Sequence, residues 1–213
     1  MHASFASSSV RELCRRARDL QSEFGLSLNR EQVRRLGGYL DVLRKWQERV
    51  NLISEPSPER LLRLHFLESF WLAEHFLEDR SVLTDLGSGA GFPGLAAKLY
   101  RPLLRVSLVE KNPKKALFLE EVTRRLKLRG VSVFSHRWEE YEAWQTGGIV
   151  SIRALKVSPE LLERLAAQRQ SVLLLHTRKL PQEWNKWLII SQLHVPGLRR
   201  RVATRLAAPA RNS

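Results

Sequence analysis

The chain has 213 residues, a formal net charge of +14, 43% hydrophobic residues and one cysteine, Cys14. That length suffices for one domain with a full core, and the longest apolar runs, such as residues 172–175, fall far short of the roughly 20 residues of a membrane-spanning helix. A lone cysteine excludes an intramolecular disulfide and a cysteine-based zinc cluster, and suits a cytoplasmic protein.

Residues 1–16 are rich in Ser and Arg, the composition of a targeting leader, but Glu12 and Asp19 count against that, and the segment reads as a terminus running into a helix. Residues 1–80 read as a helical extension. Asn29 followed by Gln32 is a capping-box pattern that opens a helix to about residue 50. Val33, Leu36, Leu40 and Leu43 share one face of it, and Gly37-Gly38 is expected to weaken its middle. Two prolines interrupt NLISEPSPER, and Ser57-Pro58 has the form of an N-cap and first-turn proline for a helix to about residue 77. His65 and Glu68 are neighbours on that helix. They make either a local ion pair or part of a helix that closes over a ligand site.

After Asp79 the period changes. Strands are expected at 82–86, 106–110, 131–135, 149–152, 172–176, 187–194 and 202–206, with helices at 93–100, 113–128 and 159–168. Alternation of this kind implies a mainly parallel, doubly wound sheet, and the late strands without a helix between them imply an antiparallel edge. Ligands of such sheets bind at the carboxyl ends of the strands. Trp184 and Trp187 are expected in the core.

The first strand ends in DLGSGAGFPG, residues 85–94. Gly87, Gly89 and Gly91 form G-x-G-x-G, and Phe92 stands where a dinucleotide fingerprint needs its third glycine. No Gly-Lys-Ser/Thr follows, so the loop is not a nucleoside triphosphate cradle. Asp85 at the strand end would repel phosphates but tolerate a cation. S-adenosylmethionine, with a sulfonium and an ammonium and no phosphate, satisfies these conditions. Glu110, 25 residues on, ends the second strand where ribose hydroxyls are commonly held, and Trp138-Glu139 follows the third, where it could flank an adenine.

These residues carry a resemblance. The stretches LRKWQERVNLIS, HFLES, DLGSGAGFPGL, KKALFLEEV, RWEE and IRA resemble the RsmG (GidB) family, which methylates N7 of a guanine in small-subunit (16S) ribosomal RNA. The resemblance runs from about residue 29 to 175. It implies an α/β Rossmann-like methyltransferase sheet at 81–213 with a helical N-terminal cap at 1–80. It also implies S-adenosylmethionine contacts at Gly87, Phe92, Trp138, Glu139 and Arg153. The sequence departs from the family with Glu68 in place of Asp, Ile152 in place of Ser, and His176-Thr177 in place of Lys-Gly.

Asp85, Gly87, Gly89, Phe92, Glu110, Trp138, Glu139 and Arg153 are thus the expected cofactor residues. Arg153 and His176 are the expected catalytic residues at the reaction edge, and no metal is expected. An ion pair of Arg153 with Glu110 or Glu139 is the alternative for that arginine. Net charge rises along the chain, from +1 over residues 1–80 to +5 over 81–160 and +8 over 161–213. Lys111, Lys114 and Lys115 begin a helix at the ligand edge, and Arg199, Arg200 and Arg201 are expected on a basic surface. The expected partner is ribosomal RNA or the small ribosomal subunit, met by a monomer with no membrane attachment. A methyltransferase of another substrate, and an RNA-binding protein that kept the fold without catalysis, remain open.

Overall fold

The computed structural model describes residues 8–54, 57–144, 146–153, 157–168, 170–176, 180, 182–184 and 186–208. Strands β1 (Val82–Leu86), β2 (Arg105–Val109), β3 (Val131–Phe134), β4 (Ile149–Ile152), β5 (Ser171–His176), β6 (Leu188–His194) and β7 (Val202–Ala207) form one sheet in the order β3-β2-β1-β4-β5-β7-β6. β1 to β5 are parallel, and β7 enters antiparallel between β5 and β6. All seven strands lie where the sequence suggests, with ends shifted by a residue at most, and the antiparallel edge is present. The centre explains itself: β4 reads IVSI and every residue of it is buried, as a strand covered on both faces must be.

Helices α5 (Gly94–Tyr100), α6 (Pro113–Arg125) and α7 (Pro159–Ala167) link the parallel strands. Asn112 and Ser158 cap the last two, each followed by proline, whose missing N–H costs nothing in a first turn. Ahead of the sheet come α1 (Val10–Leu20), α2 (Arg30–Gln47), the short α3 (Pro58–Leu61), a π-helical segment (Leu62–Leu67) and α4 (Glu68–Phe76). The capping box forms: Gln32 N donates to Asn29 Oδ1 and Asn29 N to Gln32 Oε1, each at 2.9 Å. Gln32 Nε2 also donates to the Tyr100 carbonyl at 3.0 Å, tying α2 to the end of α5.

Two local details go beyond the sequence reading. α2 runs unbroken through Gly37-Gly38. A Cβ on Gly38 would collide with Leu126, and one on Gly37 would come to 3.2 Å of Cys14 Sγ, so the pair lets α1 and the end of α6 approach α2 closely. The expected single helix at 58–77 contains the π-helical turn at Leu62–Leu67, a feature frequent near functional sites.

One hydrophobic cluster joins α1, α2, the π segment and α4 to β1, α5 and α6. At its centre Tyr39 packs on Phe66, Phe92 and Phe118, and its hydroxyl donates to the Ala90 carbonyl inside the glycine loop. A second cluster on the other face includes Trp184 and Trp187, both buried as expected. The outer strand β6 differs from all the others. Leu188, Ile189, Ile190 and Leu193 are 66%, 49%, 49% and 39% exposed, and the register shifts between Ile189 and Ser191.

Tyr39→Phe keeps the ring and removes the hydroxyl, leaving the buried Ala90 carbonyl unpaired. Chemical denaturation should show a loss of about 1–3 kcal/mol. A change below about 0.5 kcal/mol, the range of inert surface substitutions, would assign Tyr39 to ring packing alone.

Candidate active site

The loop after β1 is built on positive φ: 71° at Gly87, 56° at Gly89 and 86° at Gly91, angles that L side chains rarely adopt. Gly87 N and Ser88 N donate to the Val109 carbonyl at 2.9 and 3.1 Å, which fastens the loop to the end of β2. One residue on, Glu110 accepts from Gly89 N and from Asn112 N, each at 2.8 Å, with one carboxylate oxygen apiece. Glu110 is buried and is no solvated turn acid. It joins the glycine loop to the start of α6.

Beside this carboxylate opens a cavity of about 230 Å³ lined by Gly87, Val109, Glu110, Lys111, His136, Arg137, Trp138 and Glu139. Four expected residues, Gly87, Glu110, Trp138 and Glu139, thus meet at the carboxyl ends of β1, β2 and β3, and Gly89 adjoins them through Glu110. His136 and Arg137 were not singled out from sequence. Their only signal was adjacency to Trp138.

Asp85 lies elsewhere. It is enclosed beneath the loop, where Oδ1 accepts from Ser151 Oγ at 2.6 Å and Oδ2 from Gly94 N at 3.1 Å. It therefore pins the first turn of α5 to β4. A Cβ on Gly94 would stand 2.6 Å from Asp85 Cβ, so only glycine fits. Burial raises the Asp85 pKa from 3.8 to about 6 against the lowering effect of its hydrogen bonds and of Arg153.

Phe92 points into the helical cap. Its ring packs on Phe66 and His65 at 4.9 Å and on Tyr39 at 5.7 Å. Burial, with the charges of Arg153 and Arg201, depresses the His65 pKa to about 3, so its imidazole is neutral at physiological pH. The π-helical segment thus covers the loop through His65 and Phe66.

Arg153, at the end of β4, turns toward the same segment. Its Nη2 donates to the Leu64 carbonyl at 2.8 Å and lies 3.3 Å from Glu68 Oε2. Arg201 Nε lies 3.0 Å from Glu68 Oε1. Three expectations change here. Arg153 pairs with Glu68, not with Glu110 or Glu139. Glu68, fully buried, has two arginine partners and makes no pair with His65. Arg201 turns inward, while Arg199 and Arg200 stay exposed. A carboxylate without water selects the guanidinium groups that can reach it.

His176 ends β5 and meets Thr204 Oγ1 of β7 at 2.8 Å, where Gln192 Nε2 also donates at 2.9 Å. Its neighbour Thr177 lies outside the described residues. Because His176 pairs in register with Val202, the turn before β7 lies at the carboxyl edge. Arg199 and Arg200 therefore share that edge with Lys111 and Lys114 at the start of α6, all exposed.

Asp85 offers a test by pH. With its folded pKa above the unfolded one, its contribution to stability is fully present below about pH 4 and is lost as the pH rises through about 6. The span is about 3 kcal/mol at 1.36 kcal/mol per unit. Denaturation of Asp85→Asn from pH 3.5 to 7 should lack that dependence. A variant with the parent's profile would mean that Asp85 does not titrate there.

The family described as rRNA small subunit methyltransferase G (GidB) matches residues 32–194. A ribosomal RNA small subunit methyltransferase G of Desulfotalea psychrophila is 35% identical over 165 residues, 76% of this chain and 75% of that protein. One of Roseiflexus sp. is 44% identical over 116 residues, 54% of this chain and 50% of that protein. The chain spans about half the length of several curated relatives it matches. The fold is that of a SAM-dependent methyltransferase from Aquifex aeolicus (TM-score 0.53, 16% identity, 71% of this chain and 94% of that one). It is shared too with the Bacillus subtilis tRNA methyltransferase TrmK (TM-score 0.52, 12% identity, 67% and 65%). With three quarters of its length matched by the family, the chain belongs to the GidB, or rRNA small subunit methyltransferase G, family.

Proposed function

We propose that the chain transfers a methyl group from S-adenosylmethionine to N7 of a guanine in small-subunit (16S) ribosomal RNA. The observation that carries this reading is the cavity at the ends of β1, β2 and β3, where Gly87, Glu110, Trp138 and Glu139 meet in a chain of this family. At about 230 Å³ the cavity is smaller than the roughly 300–1,000 Å³ of a complete drug-sized ligand. It suits the adenosine end of the cofactor, with the methionine end over the glycine loop.

The residues fit that assignment. A carboxylate has about four lone-pair sites. Glu110 uses two on backbone N–H groups, which leaves two for the ribose hydroxyls. Trp138 supplies an apolar ring for the adenine, and Glu139 an acceptor beside it. Glycine at 87 and 89 keeps side chains out of the space above the loop. Asp85 and Phe92 act from behind, one holding α5 and the other holding the cap. When bound, the cofactor supplies a methyl group on a positively charged sulfur.

The N7 lone pair of guanine is already nucleophilic, so the protein's task is to position two reactants and keep them in line. His65, neutral at physiological pH, would not repel the sulfonium from above the loop. Lys111, Lys114, Arg199 and Arg200 surround the edge with positive charge that a phosphate backbone would match. The target base leaves its stack to reach the edge, as for other base-modifying enzymes. Arg153 and His176 bear on the substrate side of the edge in this reading, Arg153 through the covering segment. In this reading the working unit is one chain, in the cytoplasm.

Calorimetric titration with S-adenosylmethionine, followed by transfer to 16S RNA from cells lacking the modification, tests the reading. Binding with a methylated guanine N7 is the expected result. RNA binding without transfer would favour the catalytically silent alternative. Gly87→Val, which fills the space above the loop and strains its backbone, should lose cofactor binding. Glu110→Ala should lose charge-assisted hydrogen bonds of about 1.5–3 kcal/mol, a ten- to hundredfold weakening. A loss under twofold would leave Glu110 with its loop-holding role alone.

A further inference from the structure

At the opposite edge of the sheet, where β2 and β3 begin, a groove of about 500 Å³ lies between the start of α2 and the end of α6. Its cations are Arg34 and Arg35 on α2, Lys98 on α5, and Arg125, Lys127 and Arg129 at and beyond the end of α6. Glu31 is the one acid in its wall.

Lys98 is the unusual member. The residue is only 3% exposed, and its ammonium donates to the Pro102 and Leu104 carbonyls. Among the described residues it has no carboxylate partner. An ammonium has three donors, so one is left over. A buried charge without a counter-charge is costly, and an anion in the groove would supply one. Burial, with the charge of Arg35, lowers the Lys98 pKa, the direction expected of an uncompensated site.

The surrounding charges are only partly explained by the fold. Arg125 suits the end of α6, where cations oppose the negative pole of the helix, and it pairs with Glu121. Arg34 and Arg35 stand in the second turn of α2 and share the single carboxylate of Glu31 at 2.7 and 2.8 Å. Lys127 and Arg129 are exposed and make no ion pair among the described residues. Exposed pairs of this kind are worth little and exchange readily for a phosphate. No aromatic side chain lines the groove, so it offers grip on a backbone and no platform for a base.

We propose that this groove is a second binding site for the RNA substrate, which it holds by backbone phosphates on the edge of the sheet opposite the reaction edge. The proposal rests on the ribosomal RNA reading above. α6 joins the two edges, and its 13 residues make it about 20 Å long. A ligand that engages both must therefore be an RNA of at least that span. A short oligonucleotide around the target base would reach the reaction edge alone.

The test is the triple variant Arg34→Gln, Lys127→Asn, Arg129→Gln. Asn is chosen at 127 because it tolerates the φ of 51° found there. Lys98 is left intact to protect the fold, and S-adenosylmethionine affinity equal to the parent's serves as the check of folding. Binding of 16S RNA is measured across a salt series. Three lost phosphate contacts should make the log–log slope shallower by about two, and KM for the RNA should rise with kcat unchanged. A short oligonucleotide carrying the target guanine should bind parent and variant alike.

A variant with the parent's slope and KM on 16S RNA overturns the groove while leaving the methyltransferase reading intact. A parent that transfers no methyl group overturns that reading, yet the salt series still supports the groove if the variant alone loses slope. A parent that binds no RNA overturns both. Inorganic tripolyphosphate that binds the parent tightly without competing against RNA would assign the groove to a small polyanion and overturn the proposal.

Discussion

A carboxylate sealed from water governs how the parts of this protein come together. Glu68 has no exposed surface, and its counter-charges, Arg153 and Arg201, come from the end of β4 and the approach to β7. Burial pushes its pKa up while the two arginines pull it down. Removing one partner from such a group costs about 3–5 kcal/mol, so none of the three elements can move alone. The helical cap, the centre of the sheet and the C-terminal hairpin are held at one point. Arg153 extends that point to the Leu64 carbonyl inside the π-helical segment, whose His65 and Phe66 rest on Phe92. The ceiling of the glycine loop is thus set by an ion cluster whose two arginines come from far along the sequence.

The floor of the loop follows a different rule. Asp85 and Glu110 both end strands and both accept backbone N–H groups, but they face different surroundings. Asp85 is enclosed between Ser151 and Gly94, and both its oxygens are engaged by the protein itself. Glu110 borders the cavity with lone pairs to spare. The same side-chain chemistry therefore braces the loop from beneath in one place and leaves free acceptors beside a cavity in the other. Position in the sheet decides which.

Much of this was legible in the sequence. The strands announce themselves as short apolar runs, the first of them closed by the glycine loop, and the chain order of strands and helices leaves few topologies open. The Asn29 cap and the buried Trp184 and Trp187 followed from local rules. Partner choice did not. Glu68 and Arg201 are separated by most of the chain, and nothing near either residue says that they meet. Gly37-Gly38 read only as a weak point because propensity describes an isolated helix, whereas here Cys14 and Leu126 occupy the space beside the missing side chains. The π-helical turn has no residue signature of its own. Phe92 was placed correctly in the loop, but its ring goes to the cap, a direction that only the packing of Tyr39 and Phe66 determines.

The outer strand β6 has a consequence for the protein as a solute. Its segment LIISQLH carries no Lys, Arg, Asp or Glu and no proline, and it presents apolar side chains outward. Proteins usually guard a bare edge with such residues. Among the described residues no charge of the strand itself guards it, and the surplus of +14 charges opposes the approach of a second copy. Added salt shortens the reach of that repulsion to about 10 Å at 0.1 M. The colloidal lifetime of the protein should therefore depend on ionic strength and on bound polyanion. A counterion-rich buffer and a neutralising partner remove the same barrier, one by screening and the other by titrating the charge.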